Sequence, residues 1–566
     1  MQQRKIGLAL SGGGFRASFF HIGVLARLAE LDLLREVEVI STVSGGSIFG
    51  ALYYLHIKNL LEEKRDEEII KEDYIDSLKK IEVNFLKGVQ KNIRMRTFGN
   101  ILSNFRMFSE SYSRSDRIGQ LYSKHFYEPV LKKHKISMPD LKIQPKGGPQ
   151  NFHPRKHNLD RRCKVPILVL NATTLNTGHN WQFTATWMGE PPSDYEDVDK
   201  NLRLRRLYYY EAREHRHKHF PLGAAVAASA CVPGIFHPLP ISNLYEEITV
   251  QLVDGGVHDN QGINSLLEEN CTHIICSDAS GQMGDILEPK TGIFSVLLRS
   301  NNILMDRVRE EEIAAFKPRL KANKINEFVF LHLKKDLLRP EKTWYSGENK
   351  EGQIEKTYGQ TNYGVNREIQ SQLSNIRTDL DSFSDVEAYS LMCSGYLIAE
   401  KQFDDKLTEK FYSQNQSKQN PKSNWNFLQV QSFMTCTNPL KQYVKHLKVG
   451  SSRFLKAVKL VNTLKTICYI LLAAASLGLL YFLIVNWHKP LPINIPVKTY
   501  GSIAVAVLLM VIGSIPQINP IKRFRNFVKK MFKRLSISFA GFIIVWSYLI
   551  LINPLFLKKG RISKLK

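Results

Sequence analysis

"VEVISTVSGGSIFGALYYL", Val37 to Leu55, is the stretch on which the fold turns. The β-branched run Val37–Ile40 predicts a strand, and Ile48, Leu52 and Leu55 recur at helical spacing. Between them stand Thr42-Val43-Ser44-Gly45-Gly46. A strand, a tight turn with a serine at its apex and a helix make the setting of a nucleophile elbow. A serine in a turn needs no chemistry by itself, so the neighbouring sequence has to supply the rest.

One unit upstream lies "LALSGGGFRASFFHIGVL", Leu8 to Leu25. Ile6–Leu10 reads as a short buried strand, and Phe20, Val24, Leu25 and Leu28 give a helix over Ala17–Ala29. The glycines Gly12, Gly13 and Gly14 between them let a ligand or a developing charge approach the main chain, at a helix N-terminus whose N–H groups have no partner. A Walker A loop is excluded, because Phe15-Arg16-Ala17 follows where Lys-Ser/Thr is required. Gly12-x-Gly14-x-x-Ala17 satisfies the loose dinucleotide fingerprint, and consecutive glycine amides equally suit an oxyanion hole. Gly12 to Ser44 spans one βαβ unit, whose crossover puts both loops on the same sheet edge. A dinucleotide site has no use for a serine there.

A serine nucleophile needs a base. Downstream, "VQLVDGGVHDNQG" (Val250–Gly262) runs from a strand into Asp254-Gly255-Gly256, a turn that can present the carboxylate to a neighbouring loop.

Taken together, these residues resemble the patatin-like phospholipase family, acyl hydrolases of the bacterial patatin and cytosolic phospholipase A2 type. The likeness rests on Ser11-Gly12-Gly13-Gly14-Phe15-Arg16, on Thr42-Val43-Ser44-Gly45-Gly46 and on Asp254-Gly255-Gly256, in that order. "AAVAASACVPGIFHPLPI" (Ala224–Ile241) and "VPILVLNATTLNTGHNWQF" (Val165–Phe183) extend it, so that it covers Lys5 to about Gly281. The resemblance implies a three-layer α/β/α sandwich with a mainly parallel sheet and a Ser–Asp dyad without histidine. Ser44 would be the nucleophile and Asp254 the base. The amides of Gly12, Gly13 and Gly14 would form the oxyanion hole, supported by Arg16, Gly45, Gly46, Gly255 and Gly256. No metal or other cofactor is implied. Thr42 departs from the pattern by replacing the first glycine of the elbow, so a working turn with altered packing is expected. Arg16 has two readings, a brace for the loop or a contact to a lipid phosphate. His258 and the run "HRHKHF" (His215–Phe220) read as surface residues rather than as a third catalytic group and a metal site. "FLKGVQKNIRMRTFGNILSNFRMF" (Phe85–Phe108) reads either as an interfacial lid or as a packed helical insertion.

The chain of 566 residues carries a formal charge of +25, which implies an anionic partner. Seven scattered cysteines with no CxxC pair indicate a reducing compartment. "ICYILLAAASLGLLYFLIV" (Ile467–Val485) is uncharged and long enough to cross a bilayer; Leu535–Ile552 is nearly so, and Gly501–Ile515 is weaker. "PIKRFRNFVKKMFKRLS" (Pro520–Ser536) puts apolar residues on one helical face and cations on the other, as a helix on anionic headgroups does. The positive-inside rule places the basic flanks, and with them the catalytic domain, in the cytoplasm; a third span conflicts with the basic tail.

The expected organisation is a catalytic domain over 1–300, a mostly helical extension with a basic juxtamembrane helix over 301–462, and a membrane region of two or three spans over 463–566, including the amphipathic helix 520–536. The expected function is hydrolysis of carboxylic esters in phospholipids or lysophospholipids, with anionic headgroups as partners and no nucleic acid. Acyl transfer by the same dyad and a membrane-anchored nucleotide-binding protein are the alternatives.

Overall fold

The computed structural model describes residues 4–106, 113–192, 203–234, 236–281, 286, 288–337, 359–403, 407, 410–411, 422–453, 456–461, 539 and 541–565, with short pieces between 464 and 481. The amphipathic helix expected at 520–536, the segment Gly501–Ile515 and most of Ile467–Val485 lie outside the described residues.

The first unit forms as the apolar pattern requires. Strand β1 (Ile6–Leu10) is fully buried and feeds α1 (Gly14–Glu30); β2 (Val37–Val43) feeds α2 (Gly45–Glu63). Helices α3 (Lys71–Gln90) and α4 (Ile93–Thr97) follow. The sheet is completed by β3 (Ile167–Thr174), β4 (Asn180–Phe183), β5 (Trp187–Gly189), β6 (Leu207–Tyr208), β7 (Leu239–Tyr245), β8 (Ile248–Asp254), β9 (His273–Asp278) and β10 (Glu327–His332). Its order is β10-β9-β1-β2-β3-β4-β5-β6, parallel from β10 to β3 and antiparallel beyond. Helices surround this mostly parallel sheet, so the chain is an α/β sandwich.

Strand β3 changes neighbours along one edge. Residues Ile167–Asn171 pair with β2, ending at Val43 opposite Asn171, and Ala172–Thr174 pair with β8, beginning at Asp254 opposite Ala172. The other edge of β3 is taken by β4, so β8 continues the edge that β2 leaves.

The sheet runs past residue 300 through β10, and the helix Asp385–Gln402 lies directly on α1. A Cβ on Gly23 would come 1.8 Å from the Met392 carbonyl oxygen, and one on Gly395 2.3 Å from that of Phe20. Glycine on both helices thus lets their backbones touch, and side chains from Ile6 to Leu447 form one continuous core.

At the C-terminus the helix Gly541–Lys559, mean hydropathy 1.7, has the length and composition to cross a membrane, alone among the described helices. Its described residues overlap the span expected at Leu535–Ile552, and one face is committed to the body. Val545, Leu549, Asn553 and Phe556 are buried, while Ile543, Ile544, Ile550, Leu551 and Leu555 point outward. The Trp546 indole N–H donates to the Gly99 carbonyl (3.0 Å), and the Val386 N–H donates to the Gly560 carbonyl (3.0 Å).

Candidate active site

β1, β2 and β9 are parallel, so the loops after their last residues open on one sheet edge. Ser44 follows β2 with φ 51° and ψ −116°, a conformation that costs a non-glycine residue about 1–3 kcal/mol. The Ser229 hydroxyl accepts its N–H (3.0 Å) and also meets the Ser47 hydroxyl (2.8 Å). Ser229 ends the small-residue helix quoted above, and its sequence context gave no sign of this contact.

Strand β3 sets the serine and the acid against each other. Val43 and Asp254 sit opposite consecutive β3 residues, so Ser44 and Asp254 are brought side by side. Both are buried, at 6% and 5% exposure. Asp254 Oδ1 accepts the Gly256 N–H (2.8 Å), and Oδ2 makes no hydrogen bond of standard geometry among the described residues. Burial raises this carboxyl from 3.8 to about 6; the Gly256 N–H and the Ser44 hydroxyl pull the other way. A carboxylate of that basicity with an uncommitted oxygen beside a serine is suited to take a proton near neutral pH. Tyr122, whose buried hydroxyl also has no hydrogen bond among the described residues, is close enough for the charge of Asp254 to raise it further.

The glycine loop is scaffolded from both sides. His21, held neutral by burial at about 4, meets the Ser11 carbonyl (3.0 Å) through Nε2 and the Ser277 hydroxyl (2.7 Å) through Nδ1. A carbonyl only accepts, so Nε2 carries the proton and Nδ1 accepts from Ser277. The three glycines divide. The Gly12 N–H is taken by the Asn260 carbonyl (2.9 Å), which corrects the expectation that it serves the oxyanion hole. The N–H groups of Gly13 (φ 135°) and Gly14 (φ 58°) donate to nothing among the described residues. Nothing in the sequence "DGGVHDNQG" singles out Asn260. Its side-chain oxygen lies 2.3 Å from where a Gly12 Cβ would be and 2.6 Å from that of Gly256, so it packs both loops together.

Gly45, Gly46 and Gly255 serve close approach. A Cβ on them would lie 2.0 Å from the Gly14 carbonyl oxygen, 2.2 Å from that of Leu10 and 2.3 Å from that of Asn171. The first turns of α1 and α2 therefore meet at the serine, and the positive ends of two helix dipoles point into one spot.

Thr42 is accommodated rather than strained. Its hydroxyl meets the Ser47 hydroxyl (2.9 Å) and the Val169 carbonyl (3.2 Å), and its methyl lies 2.5 Å from the Cβ position of Gly50, so glycine there makes the room.

Arg16 is a brace. Buried, its guanidinium donates to the carbonyls of Ala279 (2.8 Å), Ser374 (3.1 Å) and Ile376 (2.7 Å), so no face is left for a phosphate. The Asp379 carbonyl accepts the Phe15 N–H (3.1 Å), covering the α1 N-terminus where a pyrophosphate would have to lie.

His258 makes no hydrogen bond to Ser44 or Asp254; it is half-buried, with Asp259, His179, Arg203 and Glu190 near enough to act on its charge. His215–Lys218 forms a single helical turn, and no cluster of three or more metal-ligating side chains occurs among the described residues. Phe85 and Ile93 are in the core, whereas Leu102 is 75% exposed, so the described part of the segment, residues 85–106, is part packed insertion and part surface. A groove of about 640 Å³ lies at the opposite sheet edge, lined by Lys5, Glu38, Arg155, Trp187, Arg206 and Glu269 among others, away from the serine.

Residues 8–267 match the family model described as patatin-like phospholipase. No curated protein matches the chain. Among solved structures it is similar to human GIVD cytosolic phospholipase A2, in complex with methyl gamma-linolenyl fluorophosphonate and terbium chloride. That match has 12% identity and a TM-score of 0.37, and covers 72% of this chain and 59% of that one. It is also similar to VipD from Legionella pneumophila, with 13% identity, a TM-score of 0.27 and coverage of 100% and 92%. The chain thus spans 59% of the length of the human structure it matches. The phospholipase domain match supports lipid acyl hydrolysis at the level of the family.

Proposed function

We propose that this protein is a membrane-associated lipid acyl hydrolase of the phospholipase A or lysophospholipase type. Ser44 attacks the ester carbonyl as Asp254 takes its proton, and the Gly13 and Gly14 amides receive the oxyanion; collapse of the intermediate breaks the ester C–O bond, and the leaving alcohol takes the proton back from Asp254. Water, giving a proton to Asp254, then attacks the acyl-enzyme, and Ser44 leaves with that proton as the fatty acid is released. The observation that carries the reading is the β3 register, which sets a buried, proton-hungry Asp254 beside a strained Ser44. Two unpaired amides at the head of α1 add the donors such a reaction needs, each typically worth about 10²–10³ in rate. The dinucleotide alternative is disfavoured by the Asp379 carbonyl at the α1 N-terminus.

The C-terminal region is proposed as the membrane attachment, with Ile467–Val485 as a span, the outward apolar face of Gly541–Lys559 in contact with lipid, basic flanks on anionic headgroups and the catalytic body on the cytoplasmic side. The test is labelling of the full-length protein with an alkyl fluorophosphonate, with mass analysis of products from defined phospholipids and lysophospholipids. Labelling at Ser44 and release of free fatty acid are expected, both lost in Ser44→Ala. Normal hydrolysis by Ser44→Ala refutes the mechanism.

A further inference from the structure

The segment Ile376–Ser384 lies beyond the family match, yet it holds the glycine loop. Its Asp379 carbonyl accepts the Phe15 N–H (3.1 Å), and a Cβ on Gly14 would lie 2.7 Å from that same oxygen. One amide of the α1 N-terminus is thereby occupied next to the two that stay open. A carbonyl can fix a neighbouring loop only if it is itself fixed, and a buried ion cluster does this. Arg377 donates to Asp381 (2.7 Å) and Glu387 (2.5 Å), and Lys456 lies 2.6 Å from Asp381 and donates to the Ser382 carbonyl (2.7 Å). The Arg94 side chain pairs with Asp379, and its backbone N–H donates to the Leu380 carbonyl (3.1 Å). The side chains of Arg377, Asp381 and Lys456 are at most 1% exposed.

Two segments about a hundred residues apart reach this cluster. One supplies Lys456. From the other, the helix Gly541–Lys559, the Asn553 side-chain oxygen accepts from Asn92 (3.1 Å) and from the Ser382 hydroxyl, and the Phe556 ring centre lies 4.2 Å from the Lys456 ammonium.

We infer that Lys456 and Asn553 are positioning residues for the oxyanion hole, acting through Asp381, Ser382 and the Asp379 carbonyl on the Gly13–Gly14 loop. The inference rests on the hydrolase reading given above. Removing the ammonium leaves Asp381 with one close cation fewer in a buried site, so the segment must shift to find another partner. A displacement of about 1 Å is enough to misalign amide donors and cost up to about 10² in rate.

The test uses the full-length protein in detergent micelles, with p-nitrophenyl butyrate and an alkyl fluorophosphonate as probes, on Lys456→Met, Lys456→Arg and Asn553→Ala. In Lys456→Met and Asn553→Ala, kcat is expected to fall about tenfold or more with KM nearly unchanged, and Ser44 labelling to slow in parallel, since phosphonylation builds the same oxyanion. Lys456→Arg, which keeps the charge, restores most of kcat. A purely structural role would lower the melting temperature and leave kcat per folded molecule intact. Should Lys456→Met not fold, Asn553→Ala decides alone. Folded variants with kcat and labelling at the wild-type level overturn the inference and leave the hydrolase reading standing. Wild-type protein that is not labelled at Ser44 takes both down.

Discussion

Replacing Asp254 with asparagine keeps the shape of the side chain and removes its charge, which separates what the carboxylate costs from what it does. The amide that results can still accept the Gly256 N–H and can donate to the Ser44 hydroxyl. The wild-type carboxyl titrates near 6 when folded, against an ordinary 3.8. The folded protein therefore holds this proton more tightly than the unfolded chain, and stability is lost as pH rises from 3.8 through 6. The full cost above that window is about 2 pK units at 1.36 kcal/mol each, close to 3 kcal/mol; at pH 4.5 it is about 1 kcal/mol. Asp254→Asn is expected to be more stable than wild type by up to about 3 kcal/mol at pH 7.5, with the gain shrinking about threefold at pH 4.5. Loss of the base should lower ester hydrolysis by about 10²–10⁴. Urea unfolding followed by tryptophan fluorescence at the two pH values measures the first effect, and steady-state hydrolysis the second. An equal gain at both pH values, or none at pH 7.5, would refute the argument, because the carboxylate would then not carry a burial penalty.

In wild type, kcat/KM should fall as pH drops below about 6, as Asp254 takes up the proton it must leave free; a profile flat down to pH 4.5 would remove it as the base. Gly14→Ala forces a Cβ to 2.7 Å from the Asp379 carbonyl oxygen at φ 58°, and should cut the rate by about 10² or more with Ser44 intact, read as hydrolysis per folded molecule. Gly50→Ala drives a Cβ to 2.5 Å from the Thr42 methyl and should cost about 1–3 kcal/mol. Adding Thr42→Gly should recover most of that, and a double-mutant cycle with no coupling would contradict the packing described.

The turns that carry Ser44 and Asp254 were legible because their determinants are local, whereas their meeting depends on pairing across β3. Strand, turn and helix write themselves into Ile6–Glu30 and Val37–Glu63 through apolar spacing, and an acid at the end of an apolar run stands out at Asp254. What stayed hidden depends on register and on distant partners. Nothing near Thr42 says that Gly50 makes room for its methyl, since the two meet only when α2 folds back along β2. Asn260 accepts the Gly12 N–H through a carbonyl that every residue possesses, and its side chain meets Gly12 and Gly256 only once the two loops come together. Asp379 works in the same way across more than 350 residues of chain, and β10 joins the sheet beyond the point where the resemblance ends. The expectation that Gly12 donates to the oxyanion failed for a related reason: a run of three glycines shows that backbone is approached, without saying which amides the fold has already spent.

The handover on β3 from β2 to β8 also bears on how the molecule comes into being. Ser44 and Asp254 enter the sheet on strands separated by roughly two hundred residues, and neither strand alone brings them together. Pairings so far apart in the chain close late, because their loop entropy must be met before they gain contacts. A nascent or half-folded chain therefore has Ser44 without Asp254 beside it, and the proposed hydrolytic competence arrives only once the sheet has closed.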